Sequence, residues 1–446
     1  MFAATALYCR RLLALCGAFL ALMWVFSIDV TAAAIVPALL LGLIVSAFLV
    51  PVFTREVSSN RLFAAGVLAG IAGVFRYDIG IGLLGLNLVL IAIREFARHR
   101  GEPNRLRPLL KNCCRYLLGF ALVVLPLSLW YLSVAAIHPF VNDVIIYSAK
   151  YYPHTRNLPF PKIRWSRLDN LEIYLPAAIA AVSLYAVAAH FWRIRRDEKL
   201  EEWNAFLLTF AGLTALMYSK GLIRVHPTHM YAAIVSSAPL LAVLYEYRSQ
   251  LNRAARALAL LLALFFFLTA GRSALRQTRL LYTQRLSVLQ SIVMGSRASN
   301  DPGWCKFRSP LTVGVCFLPE DYRIRTIEFI IDHTRPDQTL FSGVPEHDRI
   351  YANDMLIYFA TQRMPATRWA HFDPGLQNSY AVQAEMTREL DASAPPYIVL
   401  SRETELTREP NDSSKSTGVK LLDDYIANKY EPVLKFRMIS IWQRRP

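Results

Sequence analysis

The sequence is poor in acidic residues and has none of the familiar motifs of soluble enzymes. Its 446 residues include 33 Asp and Glu against 49 Lys and Arg, and six cysteines. No zinc-ligand spacing, nucleic-acid module, P-loop, dinucleotide fingerprint, G-x-S-x-G or short-period repeat occurs. No signal-peptide cleavage site follows the first apolar stretch, which continues into a second. What remains is hydrophobic: 54% of residues are apolar and the mean hydropathy is +0.30, which indicates a membrane protein.

The cysteines leave one question open. Cys305 and Cys316 are the only pair in residues 272–446. If that half lies outside the cytoplasm, the two could form a disulfide that closes a short loop. The alternative is two free thiols.

The hydrophobic residues predict a mainly α-helical, polytopic transmembrane bundle over 1–271. A span needs about 20 apolar residues, or fewer where loops are short. Residues 272–446 are more polar and predict a small extracytoplasmic α/β domain, led by a helix over 272–300. We predict nine spans, at 12–28, 31–53, 62–75, 79–93, 116–137, 171–192, 204–218, 230–246 and 257–271.

Basic residues predict the orientation. The loops on one side, of which 94–115 is the richest with seven, hold 18 of the 26 Lys and Arg in residues 1–271. Cytoplasmic loops carry such an excess, so this side is predicted to be cytoplasmic, together with the N-terminus. Nine spans then place 272–446 outside. The positive charge therefore reports loop orientation, and no nucleic-acid partner is expected.

The unusual polar residues gather on the predicted outer side. Asp29 lies in the first outer loop, and Arg76 and Asp78 lie in FRYD, between two short apolar segments. The glycines at 66, 70 and 73 before FRYD have the spacing that favours close helix packing in lipid. Arg76 and Asp78 could form an ion pair that holds the turn. Alternatively, Asp78 contacts a substrate hydroxyl and Arg76 binds phosphate.

A long outer loop over 140–165 is the second cluster. It contains YYPHTRNLPFP, in which tyrosines alternate with cations. An interfacial aromatic belt has this composition, and so does a clamp for a sugar or a lipid phosphate. The candidate ligand-binding residues in this loop are Lys150, Tyr152, His154 and Arg156.

The segment RVHPTH is the third cluster. Arg224 can bind phosphate in a bidentate manner. His226 and His229 are three residues apart with Pro227 between them, at the start of an apolar run. Two readings stay open: contact with phosphate or handling of a proton, and polar residues satisfied at a helix start. No third ligand for zinc is evident nearby.

Together these segments resemble the C-type (GT-C) membrane glycosyltransferases, in particular family 39 and the Rgt-like bacterial proteins. The glycine-rich helix ending in FRYD is similar to that family's small-residue helix ending in Arg-x-Asp. The loop YYPHTRNLPFP and the helix entry RVHPTHMYAAIVSSAPLL resemble further segments of such proteins, as does NDMLIYFATQRMPATRWAHFDPG in the C-terminal half.

The resemblance implies an enzyme of the bacterial plasma membrane that takes a sugar from a polyprenyl-phosphate donor. The acceptor would be a lipid, glycan or protein outside the cytoplasm. Arg224, with Lys150 or Arg156, would hold the phosphate. No cofactor is implied with certainty, and the divalent-metal requirement and the oligomeric state stay open. The alternatives are a transporter or flippase, and a non-catalytic scaffold, for a lipid-linked anionic ligand.

The sequence departs from the family in the first outer loop, where the family has its key acidic residues. Here that loop holds only Asp29. Asp29 and Asp78 are therefore the candidates for the catalytic carboxylate, on the grounds of their position alone. We expect either that two spans and an acidic loop precede Met1, or that the chain is a degenerate member of the family.

The C-terminal half alternates between strand and helix patterns. Helices are predicted at DYRIRTIEFIIDHT, NDMLIYFATQR with Asn353 as its cap, SYAVQAEMTRELDAS and LLDDYIANKY. Strands are predicted at TVGVCFL, QTLFSGV and PPYIVLS, followed by a terminal hairpin. His347 and Asp348 suit turn-capping roles, or an acceptor-binding or lid role.

Overall fold

The computed structural model divides into two compact units, which are considered separately. The membrane unit comprises Met1–Pro139 and Phe160–Leu280, and the C-terminal unit comprises Phe140–Pro159 and Leu281–Pro446. The residues that the structure describes are 1–27, 34–54, 59–99, 104, 106–134, 137, 141–163, 170–193, 201–280, 311, 320–349, 352–372, 377–403 and 409–446.

The membrane unit is built from long apolar helices, preceded by one helical turn at Phe2–Thr5. All nine segments predicted as spans are helical within the described residues. The helices are α1 Arg11–Ser27, α2 Ile35–Thr54, α3 Ser59–Phe75, α4 Tyr77–Arg98, α5 Leu106–Val134, α6 Leu171–Arg193, α7 Glu202–Gly221, α8 Pro227–Glu246 and α9 Arg253–Leu280.

Length and composition support fewer spans within the described residues than the nine predicted. Among the described residues, six helices are long and apolar enough to cross a membrane: α2, α4, α5, α6, α8 and α9. The helices α1 and α3 have 17 residues each, or about 25 Å at 1.5 Å per residue, which is short of a hydrocarbon core of about 30 Å. In α7, Glu202, Asn204, Thr209, Thr214 and Lys220 dilute the apolar residues.

The burial of the helices differs widely. The helix α8 is the most buried of the six candidate spans, and α5 is the least buried. Leu118, Leu122 and Trp130 of α5 are exposed on the protein surface, as expected for a helix that faces lipid. These features support a multi-pass membrane protein, whereas the orientation predicted from the basic loops stays a prediction.

Glycines bring α3 and α5 into close contact, as their spacing predicts. A Cβ on Gly66 would lie 2.1 Å from the carbonyl oxygen of Tyr116, and one on Gly70 would lie 3.0 Å from that of Phe120. From α5, a Cβ on Gly119 would lie 2.1 Å from the Phe63 carbonyl oxygen. The backbones approach closely because these positions lack side chains, which is how helices pack in lipid.

The packing of α4 on α7 follows a simple register. A Cβ on Gly212 would lie 2.8 Å from Leu86, and one on Gly82 would lie 2.3 Å from Leu216. Moving back four residues along α4, from 86 to 82, moves the contact forward four residues along α7, from 212 to 216. The two helices are therefore antiparallel at this contact. A further four residues along each helix bring position 78 opposite position 220.

The C-terminal unit contains a four-stranded sheet with helices around it. The strand order is β1-β2-β4-β3; β1 pairs with β2 in parallel and the other pairs are antiparallel. Phe341, Ile398 and Leu400 from the strands pack with Leu390 and Ile426 from helices. The elements are a π-helix Val141–Tyr151, a turn Tyr152–Thr155, α10 Asp321–His333, β1 Phe341–Gly343, α11 Met355–Thr361, α12 Tyr380–Ser393, β2 Tyr397–Ser401, a 3₁₀ turn Asp412–Ser414, α13 Leu421–Lys429, β3 Tyr430–Phe436 and β4 Ile439–Arg444.

Most of the elements predicted in this half are present, with one correction. The cap of α11 is Asp354, whose side chain accepts from the backbone N–H of Leu356. Asn353 instead donates to the carbonyls of Ser342 and Ala370, which ties β1 to a neighbouring loop. The predicted strand TVGVCFL and most of the predicted helix over 272–300 lie outside the described residues; α9 itself continues to Leu280.

We predict that Gly66→Ala lowers the stability of the detergent-solubilised protein by about 2 kcal/mol, because the added methyl group overlaps the α5 backbone. Gly85→Ala is the matched control, since nothing lies within 4 Å of its Cβ position. In a helix this change is expected to stabilise by about 0.5–1 kcal/mol. Thermal unfolding of both variants measures the difference, and equal effects would contradict the α3–α5 packing.

Candidate functional site: a cationic pair at helix ends

Asp78 joins two cations at one end of the membrane unit. Arg76 binds it in a bidentate manner, with Nε 3.1 Å from Oδ1 and Nη2 3.1 Å from Oδ2. Lys220 Nζ lies 3.2 Å from Oδ2. The backbone N–H of Ile79 also donates to Oδ1, at 3.0 Å. The two residues predicted in FRYD are therefore brought together, and Lys220 joins them.

Helix ends and helix packing place these three side chains. Arg76 has an extended backbone and immediately precedes α4, and Asp78 lies in the first turn of α4. Lys220 lies in the last turn of α7. A carboxylate at a helix N-terminus and a cation at a C-terminus both complement the helix dipole. The antiparallel register of α4 and α7 then brings Lys220 next to Asp78.

The group carries excess positive charge at a half-exposed position. Two cations share one carboxylate, and the side chains of Arg76, Asp78 and Lys220 are 37%, 35% and 18% exposed. Water or lipid headgroups can therefore reach the group. An arrangement of this kind can take a further anion, because one unit of positive charge is uncompensated within the group.

A buried hydroxyl belongs to the same region. Tyr231 of α8 lies within electrostatic reach of Arg76 and is 5% exposed. Its hydroxyl has no hydrogen-bond partner among the described residues. Buried polar groups are nearly always hydrogen-bonded, so a hydroxyl of this kind suits contact with a ligand.

The predicted RVHPTH cluster is organised by His226, which caps α8. The backbone N–H of Thr228 donates to His226 Nδ1 at 3.3 Å, and the Thr228 hydroxyl lies 2.7 Å from the same atom. Pro227 occupies the first helical position, as is typical after a cap. The rings of His226 and His229 lie 6.5 Å apart. For His226, the structure thus favours the helix-start interpretation.

The surroundings of His226 shift its pKa toward the neutral form. Burial, and secondly the positive charge of Arg224, lower its pKa below the ordinary value of 6.5. A neutral Nδ1 can accept the cap hydrogen bond, whereas a protonated one cannot.

The remaining predicted residues lie in the C-terminal unit. Lys150 lies in the π-helix Val141–Tyr151, Tyr152 and His154 lie in the turn Tyr152–Thr155, and Arg156 directly follows that turn. His154 borders an open cavity of about 370 Å³, together with Asn411 and Lys415. This group belongs to the C-terminal unit, whereas Arg76, Asp78 and Lys220 belong to the membrane unit.

Three predicted residues lie outside the described part of the chain: Asp29, Cys305 and Cys316. Nothing in the structure bears on the carboxylate or on the disulfide proposed for them. Within the described residues, no three His, Cys, Asp or Glu side chains gather closely enough to hold a metal ion.

The sequence groups Lys220 with Arg224, His226 and His229, but sequence reasoning missed its pairing with Asp78, and it missed Tyr231. Lys220 and Tyr231 flank the motif RVHPTH, and Lys220 belongs to the same polar segment, KGLIRVHPTH. The four-residue spacing of Gly212, Leu216 and Lys220 was the available signal, since it places Lys220 on the same face of α7 as two residues that face α4.

We predict that acidification weakens the fold at the start of α8. Because the pKa of His226 is lowered in the folded state, its contribution to stability is present above 6.5, the unfolded value. That contribution is lost as the pH falls through the lower, folded pKa. His226→Asn retains a capping side chain but cannot titrate, so its melting temperature should fall less between about pH 8 and about pH 5. Superimposable pH profiles for the variant and the unmodified chain would contradict this role of His226.

Comparison with known proteins adds no relative from which a function could be carried over. No family model matches the chain, and no curated protein is similar to it. The resemblance to the C-type membrane glycosyltransferases therefore stays a prediction, and the function must be argued from the site.

Proposed function

We propose that this chain is a membrane glycosyltransferase that takes a sugar from a polyprenyl-phosphate donor and passes it to a hydroxylated acceptor. The observation that carries the proposal is the pair of cations, Arg76 and Lys220, on the single carboxylate of Asp78. The apolar helices beside this group supply the second requirement, since a polyprenyl chain needs a lipid-facing path to the site.

The two cations have complementary shapes for a phosphate. The planar guanidinium of Arg76 can donate two parallel hydrogen bonds, and Lys220 acts as a compact point charge. Charge-assisted hydrogen bonds of this kind strengthen as a phosphate leaves, because its negative charge grows. The Tyr231 hydroxyl would supply a further hydrogen bond to the donor.

The reaction balances as follows. An acceptor hydroxyl oxygen attacks the anomeric carbon of the sugar, and the bond from that carbon to the phosphate oxygen breaks. The phosphate keeps the bonding electron pair, and Arg76 and Lys220 stabilise its charge. The hydroxyl proton passes to a carboxylate. Asp78 is the described candidate, but it must first release one of its cations; Asp29 is the other carboxylate predicted for this step.

The hydrogen bonds from Arg76 to Asp78 favour a second candidate function. Both of its carboxylate oxygens accept hydrogen bonds from Arg76. A carboxylate held in this way positions cations well and accepts a proton poorly. The chain would then bind a lipid-linked sugar without transferring it, as a scaffold or flippase does. Transfer of labelled sugar to an acceptor separates the two functions.

We predict that Arg76→Gln and Lys220→Gln each weaken the binding of polyprenyl phosphate by about 10-fold or more, because each removes a charge-assisted contact worth about 1.5–3 kcal/mol. The measurement is a titration of polyprenyl phosphate into the full chain in neutral-lipid nanodiscs.

Arg10→Gln is the control, since Arg10 also forms an ion pair in the membrane unit, 3.2 Å from Glu246, but is 80% exposed. It should bind as tightly as the unmodified chain. Melting temperatures show whether the variants fold. If folded Arg76→Gln and Lys220→Gln proteins bind with unchanged affinity, the phosphate does not lie on this pair.

A further inference from the structure

The C-terminal unit contains a cavity at the end of its parallel strands. Its volume is about 720 Å³, and the loops that follow β1 and β2 contribute Pro345, Asp348 and Arg402 to its lining. The start of α13 and the β3–β4 hairpin form the rest. Ligands of α/β proteins commonly bind in the crevice outside the carboxyl ends of parallel strands.

A buried histidine holds the loop after β1 against α13. His347 Nδ1 lies 2.7 Å from Asp423 Oδ1, and the backbone N–H of His347 donates to the same carboxylate. Gly343 allows the loop to fold back, because a Cβ there would lie 2.8 Å from His347 Nε2. Buried side chains therefore fix this edge of the cavity, and His347 has a structural role there.

The charges that line the cavity are unevenly paired. The lining has four carboxylates, and three have partners: Asp423 binds His347, Asp348 accepts from Ser416, and Glu346 lies 3.3 Å from Arg349. The fourth, Asp424, is exposed and forms no ion pair among the described residues. The lining also includes four exposed cations, whose side chains form no ion pair or hydrogen bond among the described residues: Arg402, Lys420, Lys435 and Arg437.

An acceptor and an aromatic ring complete the lining. Asp348 is 4% exposed, and its Oδ1 has no hydrogen-bond partner among the described residues. Arg349 Nε lies 3.6 Å from Asp348 Oδ1, which is an ion-pair distance but too long for a good hydrogen bond. Trp442 is partly buried and offers an apolar face. A ligand that suits all three features carries negative charge and hydroxyl groups on a compact carbon skeleton.

We propose that this cavity binds an anionic sugar, that is, a phosphate or carboxylate carried on a hydroxylated skeleton. Arg402 and Lys420 hold the anionic group, Asp348 Oδ1 accepts a hydroxyl, and Trp442 packs against the carbon skeleton. The same chemistry is available from a free sugar phosphate and from a glycerol-bearing phospholipid headgroup. The inference is independent of the function proposed for the membrane unit.

The test uses calorimetric titration of the full chain in nanodiscs of neutral lipid. Glucose 6-phosphate and glucuronate should bind, whereas glucose should bind at least about 10-fold more weakly, because it lacks the charge-assisted contact. A parallel series contains phosphatidylglycerol in the nanodisc. If that lipid occupies the cavity, it reduces the binding of glucose 6-phosphate, which identifies the headgroup as the source.

The double variant Arg402→Gln and Lys420→Gln tests the location. Neither side chain forms a recorded hydrogen bond, so the fold should persist, and binding should weaken about 10-fold or more. Lys415→Gln is the control, since Lys415 pairs with Asp412 outside this cavity. Variants of Arg76 and Lys220 should leave this binding unchanged, which separates the two sites.

Two results would overturn the proposal. One is the absence of binding by glucose 6-phosphate and glucuronate in the neutral-lipid nanodiscs. The other is binding that the double variant, confirmed as folded by its melting temperature, leaves intact.

Discussion

The contact of α4 with α7 determines the chemistry at one end of the membrane unit. Gly82 faces Leu216 and Gly212 faces Leu86, and one helical turn further the same register brings Lys220 to Asp78. A bulkier residue at either glycine would separate the helices. The ion pair thus depends on backbone packing, since small residues let the helices approach closely enough for the pair to form.

Arg76, Asp78 and Lys220 together leave an excess of positive charge at one end of the membrane unit. Asp78 offsets one unit of charge, and Arg76 with Lys220 supplies two. Charged residues next to apolar helices are retained where a ligand or a partner offsets their cost. The ligand that we propose, the lipid phosphate of a polyprenyl-linked sugar, would offset the charge of the pair and lie beside the apolar helices. His226 caps α8, the helix that carries Tyr231.

Sequence patterns predicted the local features well and the tertiary ones poorly. Apolar runs located all nine helices of the membrane unit, and the short spacing of Arg76 and Asp78 identified their ion pair as one of two readings. The pairing of Lys220 with Asp78 was not predicted, because the two residues lie far apart along the chain and meet only through the register of two helices. The cap of α11 was misassigned to Asn353 rather than Asp354, because adjacent polar residues suit a cap equally until the tertiary hydrogen bonds are known.

The number of spans shows the same contrast, because hydropathy locates a helix but does not decide whether that helix crosses the membrane. Hydropathy located α7 as an apolar segment, yet its interior polar residues and its terminal Glu202 and Lys220 leave it outside the helices that can cross a membrane by composition. Such a helix is stable in a bundle because its neighbours, rather than lipid, surround most of its side chains.

The measurement that tests the account most directly is the dipolar coupling between the ³¹P nucleus of polyprenyl phosphate and ¹⁵N-labelled side chains of the full chain in nanodiscs. The account predicts couplings to lysine Nζ and to arginine guanidinium nitrogens, and their loss in the Lys220→Gln and Arg76→Gln variants, respectively. Couplings that persist in both variants, or bound lipid with no coupling to any side-chain nitrogen, would contradict the assignment of the phosphate to this pair.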